Sequence, residues 1–222
     1  MLKSRHTIDS VSEVGIDEAG RGCLWGSLVA GAVIWPEEST WTEEVRTISA
    51  KIQDSKKISA KRRVIIEMEI KKHAIAWSIG SVTAQEIDTL GMTKSNRLAF
   101  ERALEGIHVP YGRLLIDGIL SIPSRDGIDQ IVEPGGDNTY IAVAAASILA
   151  KEGRDTMIRD MCKADPILES RYSICSSKGY GTLKHRNAIK EHGMHSEHRK
   201  LFLRKLLGLD HKVSQGYTFI ED

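Results

Sequence analysis

Two short apolar runs in this chain end on carboxylates: Val14-Gly15-Ile16 leads into Asp17-Glu18, and Leu114-Leu115-Ile116 leads into Asp117-Gly118. Apolar runs of this length bounded by glycine read as buried strands. A strand is rigid enough to hold a side chain at its end in a fixed place. Neighbouring carboxylates repel one another unless a cation lies between them, so a core built this way calls for positive charge at its strand ends. Directly after the first acidic pair comes Ala19-Gly20-Arg21-Gly22, a permissive loop whose backbone N–H groups and guanidinium fork suit a phosphate. Two readings are open for the stretch: a hard-metal site that meets a phosphodiester, or an exposed acidic turn with glycines for tight bending.

Asp137 follows Pro134-Gly135-Gly136 and precedes a long alanine-rich segment. It either caps a helix there or adds a carboxylate to the others, and Asp117-Gly118 taken alone also reads as a turn. Four acids from three separated positions would supply the oxygen shell that Mg²⁺ and Mn²⁺ prefer. Two such ions about 4 Å apart activate a water and stabilise the leaving oxygen of a phosphodiester. Spacing alone does not show that the four converge.

The chain has 222 residues, 41% hydrophobic and 27% charged, enough for one sizeable core but hardly two full domains. A net charge of +1 argues against a general nucleic-acid coat protein, so the distribution of charge matters more than its sum. Between Arg171 and Lys205 lie nine Lys/Arg against two acids, together with His185, His192, His195 and His198. Lys56-Lys57 and Lys61-Arg62-Arg63 form a second basic cluster. Such clusters bind polyanions or are the solvated faces of helices. The histidines have no cysteine pair or HExxH beside them, which speaks against zinc. The longest apolar run, Ile141 to Ala150, is too short to cross a bilayer, and no apolar signal core follows Met1 to His6. Cys23, Cys162 and Cys175 form no CxxC pair, which suits reduced thiols. A cytoplasmic protein is expected.

Strands are expected over 12–18, 28–35, 74–82, 111–117 and 128–132. Helices are expected over 59–72, with Ser59 as N-cap and Val64, Ile65 and Met68 as its apolar positions, then over 93–104 and 138–161, with shorter ones from 183 and from 197. On the long helix Ser147, Lys151 and Arg154 share one face, a stripe placed to contact phosphate or to hold the acids by hydrogen bonds. Asp155 is spaced to pair with Arg159. Ala144-Ala145-Ala146 lets the helix pack closely on a sheet. The division expected is 1–165 as a catalytic core, 166–210 as a basic helical lobe packed on it, and 211–222 as a frayed tail.

Six segments in order resemble the ribonuclease HII (type 2 ribonuclease H) family. They are Gly15-Ile16-Asp17-Glu18-Ala19-Gly20-Arg21-Gly22, Asp54-Ser55-Lys56-Lys57, Leu115-Ile116-Asp117-Gly118, Gly136-Asp137, the run Ala144 to Lys151 with Arg154-Asp155, and Gly179-Tyr180-Gly181-Thr182 with His185. They span nearly the whole chain. The resemblance implies an RNase H-like α/β fold, with a mixed central β-sheet flanked by helices and a C-terminal helical lobe. It further implies hydrolysis of the RNA strand of RNA–DNA hybrids and incision at ribonucleotides embedded in duplex DNA, as in ribonucleotide excision repair, leaving 5′-phosphate and 3′-hydroxyl ends.

By the same resemblance Asp17, Glu18, Asp117 and Asp137 are the metal-binding and catalytic acids, holding two Mn²⁺ or Mg²⁺ ions. Gly20, Arg21 and Gly22 are the loop that senses the ribose 2′-hydroxyl, the group that separates RNA from DNA. Tyr180 is the residue that reads the RNA–DNA junction, although a core tyrosine is the other reading of it. Lys56, Ser147, Lys151 and Arg154 are the remaining candidate substrate contacts, with solvated lysine as the alternative for Lys56. The expected partners are nucleic-acid duplexes, with no membrane and no obligate protein partner, and a monomer is expected. Cys23 and Ser27 stand where the family usually has proline, which leaves the loop less constrained by its own sequence. A buried thiol is the first reading of Cys23 and a reactive thiolate the second. Two rivals share these features: another two-metal nuclease of the same fold, and a hybrid-binding protein that no longer cuts. The presence of all four acids argues against the second.

Overall fold

The computed structural model describes residues 2–208; the expected tail, 211–222, lies outside them. Five strands, β1 (Glu13–Ala19), β2 (Leu28–Ile34), β3 (Ala76–Val82), β4 (Arg113–Asp117) and β5 (Asp129–Glu133), form one sheet in the order β3-β2-β1-β4-β5. β1 pairs antiparallel with β2, and β2 with β3, while β4 runs parallel to both β1 and β5. The mixed sheet flanked by helices is as expected. The helices among the described residues are α1 (Glu43–Ser49), α2 (Ala60–His73), α3 (Ala84–Leu90), α4 (Met92–Glu105), α5 (Ile141–Ala164), α6 (Ile167–Ser170), α7 (Ile174–Ser177), α8 (Leu183–His192) and α9 (Lys200–Leu203). None of them is long and apolar enough to cross a membrane.

Side chains alternate across a strand with period two, and β1 uses that alternation in full. Val14 and Ile16, with Leu28, Ala30 and Ala32 of β2 and Leu114 and Ile116 of β4, pack against Ala99, Phe100, Ala103 and Leu104 of α4. On the other face α5 lies almost in contact with the strand backbone. A Cβ on Gly15 would sit 2.2 Å from the Ala142 carbonyl carbon, and one on Gly31 2.4 Å from the Ala146 carbonyl oxygen. Glycine ordinarily weakens a strand, but here it admits a close backbone neighbour. The alanine run therefore packs closely on the sheet as expected, and the strand glycines are the other half of that fit.

Four expectations need correction. Helix α2 does not bury Val64, Ile65 and Met68, which are 38%, 62% and 64% exposed; its inward face carries Arg63, Ile66 and Ile70. The periodicity chose the wrong stripe because the inward face contains a charged residue. Arg63 is tolerated there because Glu152 accepts from it, Asp155 pairs with it at 3.4 Å, and the carbonyls of Ser55 and Ile58 take its Nη1 at 3.1 and 3.0 Å. Ser59 occupies the N-cap position without donating or accepting a capping bond through its side chain. Asp155 does not pair with Arg159: it turns inward to Arg63 and Lys151, the latter at 2.8 Å, and Arg159 meets Glu152 instead. The long helix begins at Ile141, after a 3₁₀ turn at Gly136–Asn138. Its N-cap is Tyr140, so Asp137 is not the cap of this helix.

Helices α1 and α3 were not expected. The second carried a legible signal, since Thr83 and Glu86 form a reciprocal capping box at its start. Beyond α5 a separate cluster of Ile158, Leu168, Tyr172, Ile174, Ala188, Ile189 and Leu203 closes around Trp25, a residue of the loop after β1. That contact ties the last helices to the loop beside the acids.

Candidate active site

The carboxylates owe their placement to strand register. Ile16 of β1 pairs with Ile116 of β4 in the parallel ladder, so Asp17 and Asp117 leave the two strands side by side. Period-two alternation puts Asp17 on the face of Gly15, toward α5, and Asp117 on the face of Leu115, which packs with Tyr140 and Val143. Glu18 points to the opposite face, where Asn96 of α4 donates to it at 3.4 Å and Arg21 approaches at 3.8 Å. The two sequence neighbours thus straddle the sheet rather than facing each other.

Asp117 is fixed by two backbone N–H groups, those of Gly135 and Gly136, donating to its Oδ1 at 2.9 and 2.8 Å. These glycines begin the turn that carries Asp137, so one carboxylate anchors the loop that delivers another. The buried Asp137 accepts from the Asn138 side chain at 2.7 Å, and Lys57 donates to Asn138 in turn. Burial pushes the Asp17 carboxyl well above the usual carboxylate range, and Glu18, Asp117 and, less strongly, Asp137 push it further. Burial raises Asp137 too, with Asp117 and Asp54 adding to it. Burial also raises Glu18, against the downward pull of Asn96 and Arg21.

Mutual electrostatic influence of this kind marks Asp17, Asp117 and Asp137 as one cluster that is short of positive charge. Lys56 supplies some: its ammonium is held protonated by Asp54, Asp137, Asp17 and Asp117 together, outweighing its own desolvation. Lys56 is exposed, yet near enough to the acids to share their field. Its turn, Ser55–Lys57, is pinned by the Asp54 carboxylate accepting from the Lys56 N–H at 2.9 Å and by Arg63 holding the Ser55 carbonyl. Among the described residues no three of His, Cys, Asp or Glu form a ready-made cage for a metal ion. The donor set nevertheless fits hard divalent cations: it offers carboxylate oxygens only, and burial with neighbouring carboxylates raises Asp17 and Asp137.

The loop after β1 is arranged differently. Gly20 has φ +92°, and a Cβ there would lie 2.1 Å from Nε of Arg154. Arg154 does not form a phosphate-facing stripe with Ser147 and Lys151, as the helix spacing led us to expect. It is buried and donates to the carbonyls of Ser27, Lys178 and Trp25 at 3.0, 2.8 and 3.0 Å. Ser147 is buried as well and returns its hydroxyl to the Ala144 carbonyl at 2.8 Å, while Lys151 pairs with Asp155. The helix face is shared, but the sheet and the loop cover most of it.

Arg21 remains exposed, its side chain 45% accessible, and Gly22 has open space about it. Burial pushes the Cys23 thiol up, so the reactive-thiolate reading of Cys23 fails.

Gly179-Tyr180-Gly181 packs directly on this loop. The Leu24 N–H donates to the Gly179 carbonyl at 2.9 Å, and a Cβ on Gly179 would meet the Trp25 carbonyl at 2.7 Å. Tyr180 is 45% exposed, so the core-residue reading of it fails. Behind it runs a chain of buried histidines. The His195 N–H donates to His198 Nδ1 at 2.7 Å, His198 and His185 share an Nε2–Nε2 bond at 2.9 Å, and His185 Nδ1 meets the Tyr180 carbonyl at 2.9 Å. One tautomer set satisfies every link: His198 donates through Nε2 and His185 through Nδ1. Protonating His198 would turn Nδ1 into a donor facing another donor, with the His195 carbonyl at 3.3 Å as its remaining acceptor. Its pKa is pushed down to about 3, chiefly by burial and then by His185.

Arg199, counted in the sequence with a basic surface cluster, is fully buried and donates to the carbonyls of Gly26, Gly20 and Arg21 at 2.9, 2.7 and 3.1 Å. Nothing in its local pattern distinguishes it from its exposed neighbours. Asn96 carried a weak signal, as a polar residue on the inward face of an amphipathic helix.

A family model described as Ribonuclease HII matches residues 14–205. A ribonuclease HII of Parabacteroides distasonis is 40% identical over 190 residues, covering 86% of this chain and 89% of the relative. Among solved structures, the ribonuclease H2 of Pyrococcus horikoshii superposes with a TM-score of 0.70 at 23% identity, covering 89% of this chain and 98% of that one. A Bst-RNase HIII crystallised in complex with Mn²⁺ superposes with a TM-score of 0.68 at 19% identity, covering 93% of this chain and 72% of that one. At these identities the two structural likenesses speak for the fold.

Proposed function

The chain belongs to the ribonuclease HII family of metal-dependent endonucleases, and from that premise we propose that it hydrolyses the RNA strand of RNA–DNA hybrids and incises duplex DNA at embedded ribonucleotides. The products are 5′-phosphate and 3′-hydroxyl ends. The observation that carries the reading is the parallel register that sets Asp17 beside Asp117, with Asp137 turned in from the loop that Asp117 anchors.

In this reading Asp17, Glu18, Asp117 and Asp137 hold Mg²⁺ or Mn²⁺. When bound, two such ions supply activation of the attacking water and charge stabilisation at the departing 3′ oxygen. The protein's own contribution is positioning. Carboxylates at strand ends reorganise little, Lys56 balances part of their charge and reaches toward a phosphate, and exposed Arg21 offers a fork to the backbone of the duplex. The Gly20–Gly22 backbone reads the 2′-hydroxyl, and the half-exposed Tyr180 ring stacks at the junction sugar. Basic residues of the C-terminal helices grip the duplex phosphates, which makes binding weaken with salt.

The test is a panel of end-labelled duplexes: all-DNA, continuous RNA–DNA hybrid, and DNA with one ribonucleotide, each with Mg²⁺, with Mn²⁺ and with chelator. Cleavage of the last two, dependent on metal, with the all-DNA duplex intact, is the expected result. Cutting of all-DNA duplex at a comparable rate would make this a DNA nuclease and defeat the reading.

A further inference from the structure

We propose that Arg154 and Arg199 are positioning residues for ribose selection: two buried guanidiniums that hold the loop from Gly20 to Ser27 in its working shape. The inference rests on the functional reading above and adds to it how the 2′-hydroxyl sensor is kept in register.

The geometry is one-sided. Arg199 takes the carbonyls of Gly20, Arg21 and Gly26, and Arg154 those of Trp25 and Ser27. Five carbonyls of one eight-residue loop are thus bound to two side chains that come from α5 and from just ahead of α9. Arg154 also holds the carbonyl of Lys178, so the same fork fixes the loop to the segment carrying Tyr180. Among the described residues neither arginine has a carboxylate within ion-pairing distance, and one nitrogen of Arg199, Nη2, is buried without a hydrogen-bond partner, its guanidinium lying 5.7 Å from the Phe202 ring centre. Burial, and the charge of Arg154 close by, lower the pKa of Arg199 to about 10, so it stays charged at neutral pH.

Burying two like charges with no anion between them is unfavourable for folding. Part of that cost is recovered locally, because each arginine satisfies carbonyls that an apolar residue would leave unpaired. A guanidinium, moreover, spreads its donors over three nitrogens in a fixed plane and can hold carbonyls of several residues in one geometry, whereas the donors of lysine sit on one freely turning atom. The loop's own sequence lacks that rigidity, with Cys23 and Ser27 free to turn where a proline would fix φ. Gly20 completes the arrangement, because only a residue without a side chain leaves room for the Arg154 guanidinium behind it.

The experiment compares R199K and R154K with wild type and with R113K, using kcat/KM on a single-ribonucleotide duplex and on a continuous hybrid, beside thermal melting. Arg113 is the control: it too is buried, but it lies at the opposite end of β4 from the acids and is held by the carboxylates of Asp9, Glu13 and Asp129. A continuous hybrid offers many registers and several 2′-hydroxyls, so a slack loop is partly compensated; a lone ribonucleotide offers one register.

We expect R199K and R154K to lose at least about tenfold more on the single-ribonucleotide substrate than on the hybrid. R113K should lower the melting temperature and leave that ratio unchanged. Equal losses on both substrates in R199K and R154K, tracking stability as in R113K, would overturn the proposal. Should R199K fail to fold, R154K decides by the same ratio. Failure of the functional reading is visible in the wild-type protein on the duplex panel, and failure here in the variants alone.

Discussion

Two regions meet at this site and are held in opposite ways. The acids stand on paired strands: one register, Ile16 against Ile116, places Asp17 and Asp117 together, and close packing of α5 on Gly15 and Gly31 keeps that register rigid. The Gly20–Ser27 loop has no ladder of its own. It is held from outside, by guanidiniums and by backbone bonds to residues some 150 to 180 positions later in the chain, such as Gly179 to Leu24 and Arg199 to Gly20. The difference teaches that chemistry and selectivity need different kinds of support. Carboxylates that share charge must not move, and regular structure supplies that. A loop outside the sheet has no neighbouring strand to pair its carbonyls, so they must be satisfied by side chains from elsewhere.

The largest expected effect is on the strand side. Asp17→Asn should reduce turnover at least about a hundredfold, ~2.7 kcal/mol of transition-state stabilisation, on hybrid and single-ribonucleotide substrates alike. Its melting temperature without divalent metal should be no lower than that of wild type, because the burial and repulsion that raise the Asp17 pKa are then absent. Turnover within tenfold of wild type, or a change confined to one substrate, would break the separation between chemistry and selectivity.

A smaller and selective effect is expected on the loop side. Tyr180→Ala removes a half-exposed ring whose backbone is held independently, by His185 at its carbonyl. Loss of a stacked aromatic costs about 1–3 kcal/mol in nucleic-acid complexes, or roughly 5- to 150-fold in rate where it is felt in the transition state. That loss should fall on the single-ribonucleotide duplex more than on the long hybrid, with melting unchanged. An equal drop on both, accompanied by a lower melting temperature, would show Tyr180 to be structural.

The smallest effect concerns stability alone and separates the two supports by pH. His198 titrates near 3 in the folded protein, against about 6.5 in an unfolded chain. Between those values the unfolded chain holds a proton that the folded one does not, so stability is lost as pH falls through the unfolded value toward the folded one. The raised carboxylates Asp17, Glu18 and Asp137 act in the opposite sense, so the expected outcome is a difference: from pH 7 to pH 5 the melting temperature of wild type should fall relative to that of His198→Gln. An unchanged slope in the variant would mean that the histidine chain behind Tyr180 is not the acid-sensitive element.

Much of this was legible in the sequence because it is governed by local chemistry. Apolar runs ending on Asp17 and Asp117 announced their strands, and the alanine run announced a closely packed helix. What misled most was the choice of face. Ile65 and Met68 have the right spacing for a core, but α2 turns Arg63 inward because Glu152 and Asp155, some 90 residues later, wait to receive it. Arg199 sits in a basic stretch that reads as surface and Arg154 on a helix face that reads as reaching for phosphate, and nothing nearby in the chain marks either as buried.

By itself, then, the sequence determined where the strands and the long helix run and which carboxylates end them, because propensity, apolar period and turn chemistry act over a few residues. Tertiary structure alone decided that Asp17 and Glu18 part to opposite faces, that Asp137 turns in toward the acids without capping α5, and which of many arginines become internal struts. Those outcomes depend on strand pairing order and on polar groups brought together across more than a hundred residues. A buried charge is recognisable only by the carbonyls and carboxylates that surround it.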